Sequence, residues 1–145
     1  MIDTNIVVSA ALGGRTRPVI VDVGARRRLL ISIDAMTEAM LVASRLSGDA
    51  PSAPGNVASV LELIDIVGSG FYESRLERAQ DMLRNAQASR NGSAEDAHIL
   101  ALAWTYDADI WSHDRDFAGT GWPSWSSANL AAALSEEASA SAPQS

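Results

Sequence analysis

What most limits the fold of this chain is an alternation that runs along its length. Short apolar runs rich in β-branched residues recur, and segments of helical length separate them. Residues 2–8 read as a strand passing into a helix, residues 29–33 as a second, buried strand and residues 109–112 as a third. Residues 124–126 are expected to add one more short strand. Strands that alternate with helices are joined by crossovers, and such units stack into a parallel sheet with helices on its faces. The expected fold class is therefore α/β, a sandwich around a central, mainly parallel sheet flanked by helices.

Between the strands the helices carry their own signals. Pro18 suits a first helical turn, so a helix over residues 19–28 follows. Asp34 is expected to cap a helix running to about Leu46, with Met36, Met40 and Leu41 on its apolar stripe and Glu38 one turn inside. Pro51 and Pro54 mark residues 47–55 as a loop. A helix over residues 56–65 and a turn at Gly68-Ser69-Gly70 come next. Residues 73–88 read as an amphipathic helix with Leu76, Ala79, Leu83 and Ala86 on one face. Ser93 is expected to cap a further helix, with Asp96 in its first turn and Ile99, Leu100, Ala103 and Trp104 on its apolar side. Asp107 reads as a turn residue, and residues 129–133 as a last helix. A single domain over residues 1–134 is expected, with residues 135–145 a disordered Ser/Ala/Glu-rich tail. The first strand is odd: two residues precede Asp3, where a buried strand usually has about five. Either it is stunted or the natural start lies upstream.

Composition narrows the chemistry. The chain has 145 residues, 47% of them hydrophobic, enough for one packed core. It has no cysteine, which removes disulfides, thiolate metal sites and cysteine nucleophiles. Metal ligation would have to use oxygen, or the histidines His98 and His113. No apolar run approaches the ~20 residues that span a bilayer, and Met1-Ile2-Asp3 does not open a signal peptide. No membrane association and a cytoplasmic location are expected. All eleven basic residues are arginine, which with abundant alanine fits a GC-rich bacterial source. A net charge of −7 argues against a protein that coats nucleic acid non-specifically.

The acids carry the functional signal. Ligands of open parallel sheets bind beyond the carboxyl ends of the strands. Asp3 follows the first strand and Asp114 the third, so both face one crevice, and Glu38 and Asp96 can join them from helices. Carboxylates crowded together repel and raise one another's pKa. A hard divalent cation relieves this: Mg²⁺ binds one or two carboxylates, keeps waters and recruits phosphate. Hydrolysis of a phosphodiester is the chemistry that suits this set. Each acid alone also reads as an ordinary turn, loop or helix residue, so the case rests on the set.

The same residues carry a resemblance. Asp3-Thr4-Asn5, followed by Ile6-Val7-Val8-Ser9-Ala10-Ala11-Leu12, resembles the opening motif of PIN domains. Ile110-Trp111-Ser112-His113-Asp114-Arg115-Asp116-Phe117 resembles their last motif. Asp96-Ala97-His98-Ile99-Leu100-Ala101-Leu102-Ala103 is similar to the helix that bears their third acid, and Glu38 stands where they have a glutamate. Residues 119–127, Gly119 to Ser127, resemble the ending of one PIN subgroup. The resemblance implies a PIN-like three-layer sandwich and a metal-dependent ribonuclease, very often the toxin of a VapC-type toxin–antitoxin pair. It implies that Asp3, Glu38, Asp96 and Asp114 bind Mg²⁺ or Mn²⁺ with Asp116 helping. Thr4, Asn5 and Ser112 would orient the carboxylates. Arg115 by itself reads either as a phosphate contact or as a plain solvated arginine. RNA as substrate, an antitoxin as partner and a homodimer are implied as well. A housekeeping nuclease and a non-catalytic RNA- or partner-binding domain are the alternatives.

The remaining residues are expected to be structural. His98 reads as a helix-surface residue, and His113 as turned away from the acids. Trp104 and Trp111 are expected in the core, and Trp122 or Trp125 nearer the surface. Leu61, Ile64, Leu76 and Leu83 read as helix packing or as a groove for a partner helix.

Overall fold

The computed structural model describes residues 1–86, 94–113, 117 and 119–142. In chain order the elements are α1 (Thr4–Ala11), α2 (Thr16–Arg26), β1 (Leu30–Ser32), α3 (Ile33–Leu46), α4 (Ala53–Leu61), β2 (Asp65–Val67), α5 (Leu76–Asn85), α6 (Ala97–Tyr106), β3 (Ile110–Trp111), β4 (Ser124–Trp125) and α7 (Ser127–Ser141). β1 pairs with β2, and β3 with β4, both in parallel. Residues 1–3 join the two pairs. Ile2 N–H donates to the Leu30 carbonyl at 2.8 Å, Trp111 N–H to the Met1 carbonyl at 2.7 Å, and Asp3 N–H to the Trp111 carbonyl at 3.0 Å. The order across the sheet is thus β2, β1, residues 1–3, β3, β4, all parallel. Successive side chains of a strand point to opposite faces, and the core divides accordingly. Ile2, Ile31 and Trp111 pack with Ile6, Ile20, Ala39 and Val57. Met1, Leu30 and Ile110 pack on the other face with Leu83, Leu100 and Phe117. The sheet lies between α1–α4 with α7 on one side and α5–α6 on the other, a three-layer α/β sandwich.

Several elements depart from their sequence expectation. The first strand ends at Asp3 rather than running towards Val8. Ile6, Val7, Ala10 and Ala11 are buried together on one face of α1, so helical spacing overrides the β-preference of the valines. Asp34 does not cap α3; Ser32 does, its Oγ accepting from Ala35 N–H at 3.0 Å. A hydroxyl at the strand end reaches the third helical amide, whereas Asp34 is already inside the first turn. The helix expected over residues 56–65 is α4, which starts earlier because Pro54 sits in its opening turn. Residues 65–67 are instead the edge strand β2. Residues 73–75 form a 3-10 turn, and α5 is confined to Leu76–Asn85. The last helix is much longer than residues 129–133. Ser126 Oγ caps it by accepting from Asn129 N–H at 3.2 Å, and it stays helical to Ser141, through residues the composition assigns to a disordered tail. Alanine is the strongest helix former, and residues 131–133 with Ala138 and Ala140 supply it.

Candidate functional site

The site begins where the central strand segment stops. Asp3 has extended backbone and Thr4 opens α1, so the aspartate lies at the carboxyl edge of the sheet between β1 and β3. It is 5% exposed. Although it holds the N-cap position, its side chain does not cap α1. It turns to Ser112, which follows β3 and donates from Oγ to Asp3 Oδ2 at 2.7 Å. Ser112 is itself buried, and its N–H is fixed on the Trp125 carbonyl at 3.0 Å. The adjacent ends of two parallel strands therefore hold the carboxylate in one orientation.

The next residue reaches towards α3. Thr4 Oγ1 donates to Glu38 Oε2 at 3.1 Å and lies 3.4 Å from the Ala35 carbonyl. Glu38 is exposed, as a residue one turn into a helix beside the crevice can be. Asn5, on the first turn of α1, is half-buried. On the other side Asp96 is half-buried at the N-cap of α6, and its side chain does not cap that helix.

His98 is not the surface residue expected from its helix. It is half-buried, with Nδ1 2.8 Å from Ser32 Oγ. Burial pushes its imidazole below the ordinary histidine range, while the charges of Asp34 and Glu38 act the other way. It is accordingly neutral at pH 7. Asp34, displaced from its expected capping role, accepts a short hydrogen bond from the hydroxyl of Tyr72. Burial and that carboxylate hold Tyr72 well above the ordinary tyrosine range, so it remains a donor throughout the neutral range. Sequence reasoning missed Ser32 and Tyr72. The signal for Ser32 was present: a serine ending an apolar strand three residues before a helical amide.

Asp114, Arg115 and Asp116 lie outside the described residues. Among the described residues no group of three or more His, Asp or Glu side chains is placed to hold a metal ion, so Asp3, Glu38 and Asp96 alone do not make a ready cage. The donor chemistry nonetheless fits a hard divalent cation: the side chains at the crevice offer oxygen, one of them a buried carboxylate already oriented by a hydroxyl.

The other weighed residues sort clearly. His113 is exposed, with Nε2 3.4 Å from Thr16 Oγ1 at the start of α2. Trp111 is core as expected, but Trp104 is only half-buried, with Arg78 stacked 5.6 Å from its ring centre. Trp122 and Trp125 are half-buried, and their indole N–H groups donate to the Ala108 carbonyl and to Asp109, each at 2.8 Å. Leu61, Ile64 and Leu83 are buried and Leu76 packs against the core. These side chains are used in packing inside the molecule.

The parallel sheet between two helix layers, with a buried carboxylate at the carboxyl edge of its central strand segment, places the chain in the three-layer α/β class. Within that class the chain matches the model of the PIN domain over residues 1–135, and it belongs to the PIN-domain family. PIN domains are generally nucleases, act on RNA or other nucleic acid and typically use divalent metal ions. No curated protein matches the chain significantly. Among the described residues no helix is long and apolar enough to cross a membrane.

Proposed function

We propose that the chain is a metal-dependent endoribonuclease that hydrolyses RNA phosphodiester bonds. The observation that carries this reading is the buried Asp3 carboxylate held by Ser112 at the carboxyl edge of the sheet. Asp3, Glu38, Asp96 and Asp114 bind Mg²⁺ or Mn²⁺, with Asp116 assisting. When bound, such an ion lowers the pKa of water and neutralises charge that builds on the phosphate. The chain's own residues orient the acids. Ser112 fixes Asp3, Thr4 fixes Glu38, Asn5 helps to orient the carboxylates, and Arg115 contacts a phosphate. A preset donor set loses little freedom when the cation and the RNA arrive.

The biological setting proposed is the toxin half of a bacterial type II toxin–antitoxin pair, working in the cytoplasm as a homodimer and silenced by an antitoxin. A partner arginine would suit an acidic crevice, since a guanidinium binds carboxylates through paired hydrogen bonds.

The test is RNA cleavage with Mg²⁺ or Mn²⁺, with and without excess chelator, for the wild type, Asp3→Asn and Asp114→Asn. The amides keep shape and remove charge. Cleavage is expected to vanish with chelator and to fall by more than about a hundredfold in either variant, beyond the usual effect of outer partners. Equal cleavage in excess chelator overturns the mechanism. Single expression without a growth defect, and recovery of the chain alone after co-expression with a neighbouring open reading frame, would remove the toxin setting and leave the nuclease.

A further inference from the structure

Ser32 occupies an unusual junction. It is fully buried at the end of β1, it caps α3 through the Ala35 amide at 3.0 Å, and it meets His98 Nδ1 on α6 at 2.8 Å. One hydroxyl thus touches the strand that ends at the crevice, the helix that carries Glu38 and the helix that Asp96 opens. A serine oxygen has one proton and two lone pairs, so it can serve both neighbours at once. The bond to His98 is a polar link between these helices that passes through a side chain of α6.

From this geometry we propose that His98 is a positioning residue: it clasps the first turn of α3 to α6 through Ser32, and thereby sets where the Glu38 carboxylate stands relative to Asp96. The metal-binding half of this inference rests on the nuclease reading above; the clasp itself does not. The Thr4–Glu38 bond holds the carboxylate at its tip, and the clasp holds the helix that bears it. Partners that orient ligands without touching the metal typically change its affinity by about 10–100-fold.

The test uses the full chain and three variants. His98→Leu and His98→Gln lack a polar atom at the Nδ1 position, whereas His98→Asn places its amide there. Two quantities are measured: hydrogen exchange at the Ala35 amide without metal, and Mn²⁺ affinity by calorimetry. In the Leu and Gln variants exchange at Ala35 is expected to quicken about fivefold or more, as loss of a supporting hydrogen bond implies, and Mn²⁺ affinity to fall about tenfold. The Asn variant should restore both. If the Leu variant does not fold, the Gln variant decides. Unchanged exchange overturns the clasp, whatever the metal does. Quickened exchange with unchanged Mn²⁺ affinity overturns the positioning role. Should the wild type itself bind no Mn²⁺, the nuclease reading fails and so does the positioning of a metal ligand, while the exchange result still decides whether the clasp exists.

Discussion

Asp3 is 5% exposed, and its carboxyl group meets the Ser112 hydroxyl at 2.7 Å beside the start of α1. A hydrogen bond to a charged group contributes about 1.5–3 kcal/mol, enough to fix a short side chain in one rotamer. Ser112→Ala removes that bond and little volume. The expected result is a protein that folds normally and cleaves RNA about 10–100-fold more slowly at limiting Mn²⁺, partly recovering as Mn²⁺ is raised. A metal titration of the cleavage rate checks this, and a rate identical to wild type at every concentration would show that Ser112 orients nothing. The pair of Tyr72 with Asp34 follows different logic. There the hydroxyl is buried and the carboxylate exposed, so the bond anchors the loop after β2 to α3.

Among the elements, α6 shows how a helix can be stopped by one residue. Its C-cap Asp107 has φ 50°, in the left-handed region, and the Asp107 N–H returns to the Trp104 carbonyl at 3.4 Å. Aspartate tolerates that conformation and a β-branched residue does not. Asp107→Val is expected to cost roughly 1–2 kcal/mol, measured as a shift of the urea midpoint at constant slope. Asp107 was readable as a turn because its side chain competes with the helix, and β1 was readable because its apolar run is unbroken; α3 was readable as a helix, but its buried face is Ala35, Ala39 and Ala43, and the expected Met40 and Leu41 are exposed. Asp3 was readable as an acid at a strand end and Asp96 as one at a helix start. The edge strand β2 was not, since exposed Asp65 and Ile66 leave no alternation to detect. Nor was the turn from strand to helix at Asp3, where the same β-branched residues serve either structure. The Ser32–His98 link was invisible because its partners are 66 residues apart and belong to no local pattern.

At the scale of the molecule the two halves of the sheet meet only through residues 1–3 among the described residues. Ile2 is wholly buried there, against the cluster that includes Ile6, Ile31 and Trp111. Ile2→Ala is expected to cost about 2–5 kcal/mol, a lost side chain plus an unfilled cavity, seen as a lower denaturant midpoint in equilibrium unfolding. By contrast the exposed pair Arg27–Glu137, which links α2 to α7 at 2.6 Å, contributes at most about 1 kcal/mol, and Arg27→Ala should leave the midpoint nearly unchanged, most of all at high salt.

Asp3 and the serine that holds it are 109 residues apart in the chain. A ribosome adds about 5–20 residues each second, so roughly 5 to 20 s separate the making of the acid from the making of its partner. Until β3 emerges, residues 1–3 can lie only against β1, and Asp3 has no Ser112 hydroxyl to face. The orientation of this acid is therefore completed by a contact that forms late, between two distant parts of the chain.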